Sequence, residues 1–97
     1  MNHTLENEKL TIFLEGELNS YNCDEVETEI EKIVSEKPFK SLVLDFDNLR
    51  YISSAGLRII VRLKQRFDDL SLVKVSSDVY DILDMVGFVK MFAIEKK

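Results

Sequence analysis

The chain has 97 residues, of which 45% are hydrophobic and 32% are charged, and its net charge at pH 7 is −5. These values predict one small globular domain, residues 1–97, with a single core. The acidic balance argues against nucleic-acid binding and against membrane attachment through basic patches, because both depend on positive charge. No apolar run reaches the roughly 20 residues of a membrane-spanning helix, and the N-terminus lacks a signal-peptide pattern, so we expect a cytoplasmic protein.

The counts of cysteine and histidine argue against several kinds of catalysis. Cys23 is the only cysteine and His3 the only histidine, and His3 lies in a terminus that we expect to fray. One histidine and one cysteine are too few for a usual zinc site, and a single cysteine cannot form an intrachain disulfide. The three glycines are isolated, so the sequence has no glycine-rich phosphate-binding loop. We therefore expect a protein without a metal or cofactor that is not an enzyme.

The N-terminal part of the chain predicts strands. Lys9–Leu14 is apolar and partly β-branched, which is typical of a strand, and this strand is expected to end near Gly16. Residues 3–6 are a candidate edge strand that pairs with it. Residues 15–22 are mostly polar and predict a turn region.

A helix and a second strand follow. From Cys23 to Glu36, apolar residues recur at spacings of three and four, which predicts a helix with Asn22 as its N-cap and a stop before Pro38. Phe39–Phe46 predicts the second strand. Its centre, Leu42–Leu44, is continuously apolar, as in a strand that lies in the middle of a sheet.

The remaining elements continue the alternation. We expect a polar loop after Phe46, a second helix from Ala55 to Phe67 and a third strand over Leu70–Val75. A third helix begins at Ser76 or Ser77 and ends at Gly87. The pattern of residues 88–94 fits a last strand or a short helix equally well. Strands that alternate with helices predict an α/β fold with crossover connections.

The second helix has an unusually wide apolar face and a basic one. At 100° per residue its apolar side chains cover roughly 200°, about twice what packing on one sheet requires. The helix is therefore either clamped on two sides or exposes an apolar edge to a partner, which could also be a second copy. The opposite face carries Arg58, Arg62, Gln65 and Arg66. It is either a solvated surface or a contact for an acidic partner or for phosphate groups.

Ser53 and Ser54 precede the second helix, and three roles are open for them. Either hydroxyl could cap the helix, which stabilises a protein by about 1 kcal/mol. Either could accept a phosphate, whose charge is tolerated at the positive end of a helix dipole. Asp45 and Asp47 lie near in sequence and would add to the negative charge of that phosphate. The third role, nucleophilic catalysis, fails because it needs a histidine base and the only histidine is His3.

Four segments together resemble the STAS domain of bacterial anti-sigma factor antagonists. The central one is residues 51–58, Tyr-Ile-Ser-Ser-Ala-Gly-Leu-Arg, preceded by a strand that ends near Asp45. Residues 16–18, Gly-Glu-Leu, are similar to the family's turn after its early strand, and residues 79–88 are similar to its leucine, aspartate, methionine, glycine and phenylalanine ending. The resemblance covers nearly the whole chain. It implies a small mixed sheet with helices packed mainly on one face.

The resemblance also implies a function in partner switching. In the family, the unphosphorylated domain binds an anti-sigma factor, often a serine kinase of the histidine-kinase-like ATPase fold, and thereby releases a sigma factor. The kinase phosphorylates a serine at the start of the second helix, the complex dissociates, and a serine phosphatase reverses the modification. The chain is then expected to be a monomer or a weak dimer. The alternative is a STAS subunit that is never phosphorylated and serves as a structural partner, for instance of a transporter ATPase.

Alignment on Gly56 places the phosphate acceptor at Ser54, with Ser53 as a second candidate. Ser53 stands where the family commonly has aspartate, and Ala55 stands where it has a second hydroxyl residue. Asn19 stands where many members have aspartate, which puts the affinity for a partner or the choice of partner in question. The residues expected at the partner-binding surface are Gly16, Glu17, Asn19, Asp45, Ser53, Ser54, Gly56, Leu57, Arg58 and Arg62.

Overall fold

The computed structural model describes all residues of the chain, 1–97, as strands and helices in the predicted alternation. In chain order the elements are β1 (His3–Glu6), β2 (Lys9–Leu18), α1 (Cys23–Glu36), β3 (Ser41–Ile52), α2 (Ser54–Arg66), β4 (Leu70–Val75), α3 (Ser77–Met85), a 3₁₀ turn (Phe88–Lys90) and β5 (Ala93–Lys96). None of the helices is long and apolar enough to cross a membrane.

The five strands form one mixed sheet in the order β1-β2-β3-β4-β5. Strand β1 is antiparallel to β2, and every other neighbouring pair is parallel. Each helix connects one parallel strand to the next, always in the same direction across the sheet. Because such crossovers are right-handed, all three helices lie on the same face. The predicted mixed sheet with helices on one face is confirmed.

Alternate residues of the central strands build the core beneath the helices. On β3, the side chains of Leu42, Leu44 and Phe46 are fully buried and belong to one large hydrophobic cluster. Leu72 on β4 and Ile12 on β2 lie beside Leu44 in the sheet and belong to the same cluster. The sheet therefore presents one side to the helices, and burial of this apolar area is the main contribution to stability.

Strands β2 and β3 are longer than the sequence predicts. Residues 15–18 were expected in a turn but continue β2, and residues 47–52 were expected in a loop but continue β3. Five steps along β2, from Phe13 to Leu18, face seven steps along β3, from Asp45 to Ile52. Two extra residues on β3 are therefore accommodated as bulges, which bend and twist a strand. They also break the alternation of buried and exposed residues, so this part of β3 lacks the sequence pattern of a strand.

The other boundaries agree closely with expectation. Helix α1 has the predicted bounds, α3 begins directly after Ser76 and ends before Gly87, and β4 covers the predicted residues. The undecided segment 88–94 contains both alternatives, a short 3₁₀ turn followed by the start of the last strand.

Asn22 occupies the N-cap position of α1, but its side chain does not cap that helix. That part of the prediction was wrong, because the Asn22 side chain bonds to the preceding loop instead.

Candidate functional site

The two serines lie where the carboxyl ends of β2 and β3 meet the start of α2. Leu18 is paired with Ile52 at the end of the two strands, and the backbone N–H of Ser53 donates to the carbonyl oxygen of Leu18 at 2.8 Å. This bond extends the parallel ladder by one residue and fixes the point at which the chain leaves the sheet. The carboxyl edge of a parallel sheet is also the usual location of binding sites in α/β proteins.

Gly56 allows the first turn of α2 to pack directly on these strand ends. A Cβ atom at position 56 would lie 2.7 Å from Cγ of Leu18 and 2.8 Å from Cγ1 of Ile52. Both side chains are buried, with relative exposures of 2% and 1%. A larger residue would therefore have to displace core atoms. The glycine of the serine-containing motif has a packing role, and it is itself buried.

The structure separates the roles of the two serines. Ser53 has an extended backbone and is the N-cap of α2, since its hydroxyl oxygen accepts a hydrogen bond from the N–H of Gly56 at 3.4 Å. Ser54 is the first helical residue, and its side chain is exposed and makes no hydrogen bond within the chain. The Ser53 hydroxyl is thus engaged in holding the helix start, whereas the Ser54 hydroxyl is free to react or to contact another molecule.

The loop between β2 and α1 lies beside the serines and is held by two asparagines. The side-chain oxygen of Asn19 accepts from the N–H groups of Tyr21 and Asn22 at 2.9 and 3.2 Å. The Asn22 side chain in turn accepts from the N–H of Asn19 and donates to the carbonyl of Glu17. An aspartate at position 19 could accept the same bonds, so asparagine preserves this loop while carrying one negative charge fewer.

Gly16 prepares the strand end for this loop. Its φ of +72° lies in the left-handed region that favours glycine, next to a shift in the pairing of β2 with β3. Beyond the shift, Glu17 stands opposite Tyr51. Gly16 therefore acts through the backbone, while the exposed Glu17 is available at the surface.

Asp45 does not lie with the other predicted site residues. It is in the middle of β3, seven residues before Ile52, which corresponds to a separation of roughly 20 Å along a strand. Its side chain is buried, accepts from the N–H of Asp47 at 2.9 Å and lies 3.8 Å from the Nζ atom of Lys74. The expectation that Asp45 adds to the potential around the serines was therefore wrong, because the polar run after it is strand and not a compact loop.

The basic face of α2 is partly occupied by helix α1. Arg62 pairs with both carboxylate oxygens of Glu27, at 2.7 and 2.8 Å, and Arg66 pairs with Glu31. Arg58 is exposed and makes no ion pair. Of the predicted contacts on this helix, Leu57 is buried in the core, so it supports the surface from beneath. Helix α2 contacts both β3 and α1, and its apolar residues Leu57, Ile59, Ile60 and Leu63 are buried, so most of its wide apolar face is covered within the chain.

Two exposed tyrosines near the serines were not among the predicted site residues. Tyr21, in the loop before α1, has a relative exposure of 98%, and Tyr51, near the end of β3, has one of 45%. Tyrosine is enriched in the energetically important part of protein interfaces. Only the folded arrangement shows that both lie on the same edge of the sheet as Ser54, although Tyr51 adjoins the serine motif in sequence.

Together, the fold and this edge define a small α/β domain that presents a free hydroxyl at the start of a capped helix. The STAS domain model matches residues 2–97, and the chain belongs to the STAS domain family. BtrV of Bordetella bronchiseptica, named as a candidate anti-sigma factor antagonist, is 34% identical over 85 residues, which cover 84% of this chain and 72% of BtrV. The anti-sigma F factor antagonist of Paenibacillus polymyxa is 28% identical over 89 residues, covering 88% and 76% of the two chains.

Solved structures show the same fold. An anti-sigma factor antagonist from Mycobacterium paratuberculosis superposes with a TM-score of 0.87 at 17% identity, over 99% of this chain and 84% of that one. The anti-sigma factor antagonist SpoIIAA in its unphosphorylated form gives 0.74 at 17% identity, over 96% and 87% of the two chains. SpoIIAA, a Bacillus cell fate determinant, is also known in a phosphorylated form, which gives 0.65 at 16% identity, over 96% and 90%. At these identities the likeness concerns the fold.

Proposed function

We propose that this protein is an anti-sigma factor antagonist, acting in the cytoplasm, whose unphosphorylated form binds an anti-sigma factor and so releases a sigma factor. The proposal is supported by membership of the STAS domain family. It is also supported by two relatives that are named as anti-sigma factor antagonists and that align with this chain over most of their length. The surface used is the carboxyl edge around Ser54. It combines exposed aromatic side chains at Tyr21 and Tyr51 with charged groups at Glu17 and Arg58, a composition suited to protein recognition.

The switch is phosphorylation of Ser54 by the bound anti-sigma factor acting as a serine kinase of the histidine-kinase-like ATPase fold. In that step the γ-phosphoryl group of ATP is transferred to Oγ of Ser54, the hydroxyl proton is lost and ADP leaves. A serine phosphatase then hydrolyses the phosphoserine and restores the binding form. The observation that carries this assignment is the division of labour between the serines, since Ser54 is exposed and unbonded while Ser53 caps the helix.

The modification would change the docking surface and leave the fold intact. A phosphate brings nearly two negative charges, and at the first residue of α2 these face the positive end of the helix dipole. No acidic residue lies in the first turn of this helix, so no like charge on the helix opposes the phosphate there. The added charge would therefore be felt mainly by a partner that packs against this edge.

Capture from a native lysate tests the proposal, with the wild-type chain and its Ser54→Ala and Ser54→Asp variants as bait. We expect the first two to retain an ATPase-fold kinase and Ser54→Asp to lose it. Ser77→Asp is a matched control, because Ser77 is also an exposed first helical residue that follows a capping serine. It should retain the kinase. Recovery of a transporter ATPase by all four proteins would instead favour the structural-partner alternative.

A further inference from the structure

Helices α1 and α2 are joined by a regular ladder of ion pairs. Glu27 and Glu31 lie one turn apart on α1, and they pair with Arg62 and Arg66, which lie one turn apart on α2. The two helices run in the same direction, because each returns from the carboxyl edge of the sheet to the amino edge. Both ion pairs therefore join residues that are 35 apart in sequence, and one pair lies about 6 Å from the other along the helix axes.

The next position of this ladder has a cation but no acid. One turn toward the start of α2 stands Arg58, and the corresponding position on α1 is Cys23, which is its first residue. The Cys23 thiol lies near the carbonyl of Ser20 and the carboxylate of Asp24, at 3.7 and 3.8 Å. Arg58 is thus the one arginine of this face that the chain leaves exposed and without an anion.

We propose that Arg58 binds the phosphate of phosphorylated Ser54 within the same chain; this rests on the proposed modification of Ser54. The two residues are four apart on the same helix, which places their side chains on one face about one turn apart. The acidic group would be N-terminal to the basic one, the more favourable order for such a pair. A guanidinium also matches two phosphate oxygens with parallel N–H donors, which makes this a strong kind of ion pair.

Binding of Arg58 by the phosphate means that phosphorylation changes the surface in two ways. In the unmodified chain Arg58 is a free cation beside Ser54 and can meet an acidic group of a partner. In the modified chain the same guanidinium is held by the phosphate, so the surface gains negative charge and loses a cationic contact together. Arg62 and Arg66 cannot substitute for it, because each is already paired with a glutamate of α1.

The test uses the chain with phosphoserine incorporated at position 54 during translation, so that no kinase is needed. Phosphorus NMR follows the phosphate from pH 4 to pH 8 in this protein and in its Arg58→Gln and Arg62→Gln variants. An adjacent guanidinium favours the dianion, so removing Arg58 should raise the second pKa of the phosphate and lower its acid dissociation constant about two- to fivefold. Arg62→Gln should leave that constant unchanged, and 1 M salt should reduce the effect of Arg58.

Identical phosphate titrations in the phosphorylated chain with Arg58 and in its Arg58→Gln variant would overturn the proposal, and so would an equal shift in Arg58→Gln and Arg62→Gln. Thermal melts of the variants check that each is folded, which we expect because both arginines are exposed. A negative result for Arg58 can be told apart from a failure of the proposed function. If a native kinase modifies Ser54 but the second pKa of the phosphate is the same with and without Arg58, only the proposed role of Arg58 is wrong.

Discussion

Substitution of Gly56 by alanine tests how the helix that carries Ser54 is seated on the sheet. The new Cβ would lie 2.7 and 2.8 Å from branch carbons of Leu18 and Ile52, closer than real Cβ contacts. Overpacking of this kind costs about 1–3 kcal/mol, while alanine is favoured over glycine in a helix by up to about 1 kcal/mol. We therefore expect a net loss of about 1–2 kcal/mol in the free energy of unfolding, or roughly 5–15 °C in melting temperature.

Urea denaturation followed by circular dichroism measures this loss, and a double-mutant cycle identifies its cause. Leu18→Ala alone should cost about 2–5 kcal/mol, since the side chain is buried. In the Gly56→Ala background the same change relieves the conflict, so the pair should cost about 1 kcal/mol less than the sum. If Gly56→Ala is as stable as the wild type or more stable, helix propensity outweighs packing at this position. Close packing of α2 on Leu18 and Ile52 would then not require a glycine at position 56.

Substitutions of Ser53, Ser54 and Asp45 test the separate positions and contacts that these three residues have in the structure. Ser53→Ala should lower the free energy of unfolding by about 1 kcal/mol, because the helix cap is lost. Ser54→Ala should change it by less than about 0.5 kcal/mol. Equal effects of the two variants in urea denaturation would contradict the assignment of Ser53 as the cap and Ser54 as the free hydroxyl. Ser54→Asp should melt at or slightly above the wild-type temperature, because the helix dipole stabilises an acidic first residue, and a large drop in melting temperature would argue against the switch. Asp45→Ala should cost about 1–3 kcal/mol by leaving the N–H of Asp47 without its acceptor, yet capture of the anti-sigma factor should be unaffected, because Asp45 is far from Ser54.

Local patterns were sufficient to predict most elements of the fold. Helix α1 and strand β4 have clear periodicity and clear boundaries, such as Pro38 after the helix. The end of β3 was missed because its two bulges place consecutive residues outside the usual alternation, so residues 47–52 resemble a loop in composition. The number of residues on each of two paired strands is a tertiary property, and no single segment of sequence contains it.

The serine motif of the candidate site could be predicted from the sequence, whereas the roles of the individual serines and of the arginines on α2 could not. The serine motif pointed to the correct turn, but the choice between cap and free hydroxyl required the position at which α2 begins. The basic face of α2 was ambiguous for a related reason. Its arginines have the same four-residue spacing as Glu27 and Glu31, and only the adjacency of the two helices shows that two of the arginines are already paired.

Mapping of phosphate on the chain by mass spectrometry decides whether Ser54 is the residue that is modified. The purified protein would be incubated with ATP and native lysate and then analysed by intact-mass and fragment mass spectrometry. We expect one added phosphate, located on Ser54, and none on Ser53 or on the Ser76-Ser77 pair, which has the same capped geometry at the start of α3. Ser54→Ala should abolish the addition. A chain that gains no phosphate, or gains it equally at Ser77, would contradict the assignment of Ser54 as the switch.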